Sequence, residues 1–132
     1  MPGHFQVYTS TPADTAHGVK EINWRLLSEN GRSLAQSCTV FPSWDEAVAN
    51  VAVVQLAAVA GTILMTEPDR IGWGWALLDP RQAPLSWSAR RYARKAECAE
   101  AIRRFRDLAP VSRLTPRLAV FRRDHRLQYV VA

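Results

Sequence analysis

The stretch Trp24–Val54, WRLLSENGRSLAQSCTVFPSWDEAVANVAVV, decides the fold because a similar stretch follows it in the same chain. Moved by 51 positions without a gap, it lies on Trp75–Phe105, WALLDPRQAPLSWSARRYARKAECAEAIRRF. Identical residues stand at Trp24/Trp75, Leu26/Leu77, Leu27/Leu78, Leu34/Leu85, Ser37/Ser88 and Glu46/Glu97. This self-similarity predicts two copies of one supersecondary unit.

The first copy begins with the pattern of a β-hairpin. Apolar and polar residues alternate over Ile22–Leu26, which is typical of a strand with one buried face. Asn30-Gly31 then predicts a tight type I′ turn, because both of these residues tolerate positive φ. Leu34–Phe41 is the predicted return strand, and Pro42 ends it because proline has no N–H to donate to a ladder.

A helix follows the hairpin. Ser43 and Glu46 have the spacing of a capping box, in which each side chain satisfies an amide at the helix start. The helix is predicted from Trp44 to about Ala60. Gly61 is the predicted C′ residue that ends it.

The second copy repeats this order with weaker local signals. Ile71–Leu77 alternates like a strand, Leu85–Tyr92 is the return strand, and Lys95–Leu108 is an amphipathic helix. The turn Asp79–Pro84 contains two prolines in place of Asn-Gly, so we expect a wider loop there.

The segments around the two copies supply further strands. Phe5–Tyr8 and Thr62–Met65 are short apolar runs read as strands, and Thr9–Gly18 has the composition of a loop. Pro110–Pro116 is read as a linker, and residues 117–132 form a predicted closing β-hairpin that is a candidate for a truncated third repeat.

These elements together predict an α+β fold in a single domain, residues 1–132. Repeat 1 covers about residues 4–60, and repeat 2 covers about residues 62–109. Each repeat is a β-β-β-α unit, with a three-stranded antiparallel sheet backed by one helix. One such unit cannot bury both its sheet and its helix, so the copies must pack together or against another chain.

The first helix is apolar on nearly all sides, which predicts that it is covered on more than one side. The residues that form its second apolar face are candidates for an interface, namely Trp44, Val48, Val53, Leu56 and Val59. We therefore expect a homo-oligomer, in the simplest case a dimer, or another protein partner. A membrane span is rejected because Asn50, Gln55 and Gly61 interrupt the uncharged run and the equivalent second helix is highly charged.

Positive charge is concentrated in the second half of this basic chain, whose net charge is +5. Residues 1–69 hold three basic and seven acidic residues, whereas residues 70–132 hold 14 basic and five acidic residues. Arginine binds phosphate in a bidentate fork, so this half is a candidate nucleic-acid-binding surface. Its candidate residues are Arg90, Arg91, Tyr92, Arg94, Lys95, Arg103 and Arg104. The alternative is a solvated basic face that reflects an arginine-rich composition.

Catalytic and metal-binding patterns are absent from the sequence. The histidines do not pair with other ligands at metal spacing, no glycine-rich phosphate loop precedes a helix, and no nucleophile has a recognisable base. We therefore expect a non-enzymatic protein without a cofactor or metal. Protein interaction is the leading hypothesis, nucleic-acid binding the first alternative and small-ligand binding the second.

The cysteines indicate a cytoplasmic protein. Cys38 and Cys98 are the only two, and residues 1–20 have the polar composition of a mature chain without a secretory signal. Two reduced thiols in the cytosol are the expectation.

The two copies also carry a family pattern. The first copy matches it at Trp24, Leu26, Asn30-Gly31, Ser37, Phe41, Ala47 and Val51. The second copy matches it at Trp75, Leu77, Ser88, Tyr92, Cys98 and Ile102, and departs from it where Arg81-Gln82 replaces Asn-Gly. The pattern resembles that of the DUF1508 or YegP-like (UPF0339) tandem-repeat family. The resemblance implies an α+β tandem repeat and carries no catalytic residues to this chain.

Overall fold

A mixed eight-stranded β-sheet and two α-helices enclose one hydrophobic core. The computed structural model describes residues 3–10, 21–121 and 127–131. The strands are β1 (His4–Ser10), β2 (Glu21–Leu27), β3 (Ser33–Ser37), β4 (Ile63–Thr66), β5 (Gly74–Leu78), β6 (Pro84–Ser88), β7 (Arg113–Phe121) and β8 (Leu127–Val131). The helices are α1 (Trp44–Ala60) and α2 (Lys95–Leu108), and a short 3₁₀ turn covers Ala109–Val111.

The strands lie in the order β4-β5-β6-β3-β2-β1-β7-β8, and all neighbours are antiparallel except β1 and β7. The expectation of two separate three-stranded sheets is therefore corrected to one continuous sheet. The two sets of strands join where β3 pairs with β6, with Gln36 opposite Trp87. This pairing satisfies backbone groups that two separate sheets would each leave open at an edge.

The same backbone features recur 51 positions apart on the two sides of this junction. The backbone N–H of Trp24 donates to Ser37 Oγ at 3.2 Å, and that of Trp75 donates to Ser88 Oγ at 3.2 Å. Single bridges, Ile22 with Phe41 and Trp73 with Tyr92, also correspond. Gln36 and Trp87 are themselves 51 positions apart, so equivalent residues face each other at the junction.

The core lies between the helices and one face of the sheet. Trp24 and Trp75 are its largest side chains, and both are almost completely buried. Phe5 packs edge-on against Trp24 with ring centroids 5.3 Å apart, and Phe105 packs against Trp75 at 4.6 Å. Because successive side chains of a strand point to opposite faces, the inward-facing residues occupy every second position, as the sequence pattern predicts.

Both helices have the bounds that the sequence predicts. Ser43 Oγ accepts from the N–H of Glu46 at 3.2 Å, which is one of the two bonds of the expected capping box at the start of α1. The Glu46 carboxylate accepts from the Ser43 hydroxyl at 3.2 Å instead of from the Ser43 backbone N–H. Gly61 follows α1, but its φ is −69°, so it does not have the left-handed conformation that is common for a glycine at the C′ position. A Cβ at this position would clash with the carbonyl oxygen of Ala57, so close approach excludes a side chain.

The two hairpin turns are more alike than their sequences indicate. In the first, Gly31 N–H donates to Ser28 O at 2.8 Å; in the second, Gln82 N–H donates to Asp79 O at 2.9 Å. Gly31 and Gln82 both have positive φ, 80° and 68°. The expected type I′ turn and the expected wider second loop are therefore wrong. Each turn contains one residue in the left-handed conformation, and each lies next to a bulge in the pairing of its two strands.

The first strand of the C-terminal segment begins earlier in the chain than predicted. The expected linker Pro110–Pro116 is replaced by the 3₁₀ turn and by β7, which starts at Arg113 and runs parallel to β1. The register between β1 and β7 shifts around Pro116, which has no N–H to donate. β7 then pairs antiparallel with β8. Most of the predicted loop Thr9–Gly18 lies outside the described residues, although Thr9 and Ser10 belong to β1.

The return strands are shorter than predicted. The sequence predicts strands over Leu34–Phe41 and Leu85–Tyr92, whereas β3 ends at Ser37 and β6 ends at Ser88. Phe41 and Tyr92 each keep one isolated bridge, because the chain bends after the serine before it enters the helix.

Candidate functional site

After its acidic first turn, the exposed residues of α1 are all apolar. The helix buries Ala47, Val51, Val54 and Ala58 against the core. On the opposite side, the exposed residues are Ala49, Ala52, Val53, Leu56, Val59 and Ala60, which we call the α1 face. Leu56 is 80% exposed, Val59 65% and Val53 48%. An apolar helix face of this kind in contact with water is a mark of an interaction surface.

The second helix shows that the fold does not require this apolar face. At the positions 51 residues after Ala49, Ala52, Val53 and Leu56, α2 has Glu100, Arg103, Arg104 and Asp107. All four of these charged residues are exposed. Because the equivalents of these four residues are charged and solvated, the apolar character of this part of the α1 face needs an explanation other than the packing of the fold.

The predicted interface residues divide between this face and the core. Val53, Leu56 and Val59 lie on the α1 face. Trp44 is half-buried and packs against the core cluster, and Val48 is also half-buried. The structure therefore brings three of the five candidates together at the exposed surface.

The two ends of α1 differ in charge. Asp45 and Glu46 lie in its first turn, and its last turn has no basic residue of its own. Arg106 of α2 supplies positive charge at that end, where its guanidinium donates to the carbonyl oxygens of Ala58 at 3.2 Å and Gly61 at 2.9 Å. One end of the α1 face is thus acidic and the other is basic.

Three of the seven candidate nucleic-acid residues line a common cleft, and the other four do not. Arg90, Tyr92 and Arg104 line a cleft of about 450 Å³ between the first hairpin and α2. Arg32 of the hairpin lines the same cleft, and so do Glu97 and Glu100, whose carboxylates oppose the binding of an anion. Burial raises the pKa of the Tyr92 hydroxyl, while the nearby Arg90 acts in the opposite direction.

The other four candidates do not line this cleft, although Arg91 lines a neighbouring groove together with Arg90. Arg91 donates to Thr66 Oγ1 at 3.3 Å, and Lys95 lies over the ring of Trp73 at 5.7 Å. Arg103 forms an ion pair with Glu100 within α2, and Arg94 occupies the N-cap of α2 without a side-chain capping bond. These neighbours in the chain therefore have different partners, since Arg91 contacts β4 whereas Arg94 and Lys95 stand at the start of α2.

Two exposed residues near the arginines are not singled out by the sequence pattern. Arg32 reaches the cleft only because the first hairpin folds beside α2. Trp87 is 40% exposed on the sheet face that carries no helix. The sequence could nevertheless have indicated that Trp87 is exposed, because the residue 51 positions before it is the polar Gln36, which lies opposite Trp87 in the sheet.

The thiols show no sign of activation. Cys98 is fully buried and Cys38 is half-buried, and both are free. Burial raises the pKa of each thiol, so both are protonated at neutral pH. Within the described residues, no group of three or more His, Cys, Asp or Glu side chains is placed to hold a metal ion.

Comparison with solved structures identifies the fold. The YegP protein of E. coli, a protein of unknown function, superposes with a TM-score of 0.71 at 15% identity, over 91% of this chain and 95% of that chain. The UPF0339 protein of Shewanella oneidensis superposes with a TM-score of 0.72 at 12% identity, over 95% of this chain and 98% of that chain. The chain has the YegP fold. The resemblance that its sequence motifs indicate is thereby confirmed at the level of the fold.

Other comparisons add no functional assignment. No protein-family model matches the chain, and neither does any curated protein. Among the helices of the described residues, none combines the length and the apolar character that crossing a membrane requires.

Proposed function

We propose that this chain is a non-enzymatic self-association module in which the α1 faces of two copies pack against each other. The observation that carries this proposal is the exposed, uncharged α1 face, four of whose six positions correspond to exposed charged residues of α2. Two identical apolar faces can meet across a two-fold axis without placing like charges opposite each other. Two free cysteines suit action in the reducing cytoplasm.

An antiparallel arrangement of the two α1 helices fits the charges at their ends. It places Asp45 and Glu46 of one copy near Arg106 of the other, because these residues lie at opposite ends of each helix. Antiparallel helix dipoles also attract each other. Both effects favour this orientation over a parallel one and give the interface a defined register.

Burial of the α1 face supplies the driving force. Each fully buried Leu or Val side chain contributes about 1.5–3 kcal/mol relative to an exposed one. Val53, Leu56 and Val59 of two copies together oppose an association cost of about 4–15 kcal/mol. The expected product is a dimer of micromolar affinity, which dissociates on dilution.

We also infer that residues 4–60 and 62–109 are two tandem copies of one β-β-β-α unit. The matching hydrogen bonds of Trp24 and Trp75 and the matching turns at Gly31 and Gln82 support this inference. On this view α2 keeps a solvated face, whereas α1 has acquired an apolar one. The charged side chains of α2 then provide the natural substitutions for a test.

The test is sedimentation velocity of the full chain across a wide range of concentrations. Wild-type protein is expected to shift from monomer to dimer in the micromolar range. The double substitution Ala52→Arg and Val53→Arg places in α1 the residues that α2 has at equivalent positions, and it should yield a monomer throughout. These positions are exposed, so the fold should tolerate the change.

The matched control changes charge on the other helix. Arg103→Ala lies at the position equivalent to Ala52 and should leave the dimer intact. Wild-type protein that remains monomeric at the highest concentration would overturn the proposal. A dimer that persists in the double-arginine variant would also contradict it, because the interface would then lie elsewhere.

A further inference from the structure

Trp87 occupies an unusual position on the sheet. It lies on β6 between Gln36 of β3 and Ala76 of β5, on the face opposite the core. Its ring is 40% exposed, although it stands in the central part of an eight-stranded sheet. The equivalent residue, Gln36, is polar, so only one of these two outward positions carries a large aromatic side chain.

A groove of about 380 Å³ runs beside Trp87. Its lining includes Gln36, Thr66, Ala76, Trp87, Arg90 and Arg91. The small residues of β5 leave the space open next to the indole ring. No carboxylate belongs to the lining, in contrast to the cleft between the first hairpin and α2.

Arg91 is held in place at one side of this groove. Its guanidinium donates to Thr66 Oγ1 at 3.3 Å and lies 3.6 Å from the carboxylate of Asp69. A Cβ on Gly74 would clash with Arg91 Nη1, so the missing side chain of Gly74 leaves room for the guanidinium.

Asp69 is in turn fixed by the backbone. Its Oδ1 accepts from the N–H groups of Ile71 at 2.8 Å and Gly72 at 3.0 Å. These bonds hold the pKa of the Asp69 carboxyl below its usual value, with a smaller contribution from Arg91. The carboxylate is therefore ionised at neutral pH and orients Arg91 without entering the groove.

Arg90 provides a second positive charge at the groove. It lines both this groove and the cleft beside α2, and it forms no ion pair with any of the described residues. Two guanidinium groups beside an exposed indole combine phosphate binding with a stacking surface. Base stacking on aromatic side chains together with arginine contacts is how open sheet faces bind single strands.

We propose that this groove binds a nucleobase bearing a phosphate, with the base stacked on Trp87 and the phosphate at Arg90 and Arg91. The same chemistry is present in a free nucleotide and in single-stranded nucleic acid. The inference does not depend on self-association, because the groove lies on the sheet face opposite the helices.

The test measures binding of two probes to the full chain at low salt. A fluorescein-labelled oligothymidylate is followed by anisotropy, and adenosine monophosphate is followed by NMR shifts of the indole N–H groups. Trp87→Ala should weaken binding by about 5- to 150-fold, which corresponds to loss of one stacked base. Trp87→Tyr should retain most of the affinity, because tyrosine also stacks.

Arginine variants test the phosphate contacts. Arg90→Ala combined with Arg91→Ala should weaken oligonucleotide binding and reduce its log–log salt slope by about 1.4. Arg103→Ala is the matched control, since it removes an arginine that pairs with Glu100 on the helix side. It should leave the affinity within about twofold of wild type, as expected for an arginine outside the site.

The outcomes separate the two sources of ligand. Binding of the oligonucleotide alone identifies a strand, and binding of the monophosphate alone identifies a free nucleotide; either supports the groove. The proposal is overturned if Trp87→Ala binds as tightly as wild type, or if neither probe binds at millimolar concentration. The Ala52→Arg, Val53→Arg variant should bind both probes normally, so failure of the dimer is distinguishable from failure of this site.

Discussion

The indole N–H groups of Trp24 and Trp75 meet different environments in the two halves of the protein. Trp24 Nε1 donates to Asn50 Oδ1 at 2.7 Å across the core. Trp75 Nε1 is buried and has no hydrogen-bond partner among the described residues. The residue 51 positions after Asn50 is Ala101, so the second half keeps the tryptophan without the acceptor. A single side chain thus decides whether a buried donor is satisfied.

This difference predicts the effect of removing the acceptor. Asn50→Ala would leave the indole of Trp24 unpaired as well, and it should lower the free energy of unfolding by about 1–3 kcal/mol. Urea unfolding followed by tryptophan fluorescence measures the change. Asn23→Ala, on the outer face of β2, is the control and should stay within about 0.5 kcal/mol of wild type. An equally small effect of Asn50→Ala would show that water satisfies the indole.

At the scale of elements, the two helices begin differently although they start at equivalent positions. Ser43 caps α1, whereas Arg94 stands at the N-cap of α2 and makes no side-chain capping bond. Arg94 also places positive charge at the positive end of the helix dipole. Its backbone, with φ −119° and ψ 143°, already has the extended conformation of an N-cap.

Arg94→Ser should therefore stabilise the protein. Serine at this position, three residues before Glu97, would be able to accept from the Glu97 N–H as Ser43 accepts from the Glu46 N–H in α1. The expected gain in unfolding free energy is about 0.5–2 kcal/mol, measured by thermal and urea denaturation. Ser43→Ala should cause a loss of similar size. If both substitutions have no effect, the caps do not limit the stability of either helix.

Across the whole molecule, the pairing of β3 with β6 makes one sheet and one core out of two similar halves. Residues of both helices and of strands from both halves belong to the same buried cluster. Neither half is closed by itself, because each contributes one edge to the junction. We therefore expect the chain to unfold as a single cooperative unit.

Phe105→Ala is the test of this cooperativity. Phe105 is fully buried against Trp75 in the second half, so its truncation should cost about 3–5 kcal/mol. Fluorescence and far-UV circular dichroism should still report one coincident urea transition at a lower midpoint. Ile71→Ala, at an exposed position, should leave the midpoint nearly unchanged. Two separate transitions would mean that the halves unfold independently.

Local sequence signals are sufficient to predict where the helices begin and end and which residues of the strands face the core. The bounds of α1 follow from Ser43 and Gly61, and the alternation around Trp24 and Trp75 places both residues in the core. These features depend on neighbouring residues, whose preferences act over a few positions. The 51-residue recurrence in the sequence also indicates that the two halves have similar architecture.

The cleft and the groove, in contrast, are each built from residues that lie far apart in the chain. The run Arg90 to Lys95 predicts one basic surface, but it does not predict that Arg90 lines a cleft beside α2, that Arg91 contacts Thr66 or that Lys95 lies over Trp73. Trp87 and Thr66 meet Arg91 only because β4, β5 and β6 are adjacent in the sheet. A pattern of charge along the chain cannot specify such a contact.

The sequence by itself determined a repeated strand–strand–helix order, the capped first helix and its excess of apolar surface. Only the tertiary structure decided that the two halves share one sheet through β3 and β6, and that Val53, Leu56 and Val59 remain exposed while Trp44 packs against the core. The physical reason is the separation along the chain between the residues that determine each feature. Capping, turns and periodicity are set by residues a few positions apart, whereas sheet order and the exposed faces are set by contacts between distant segments.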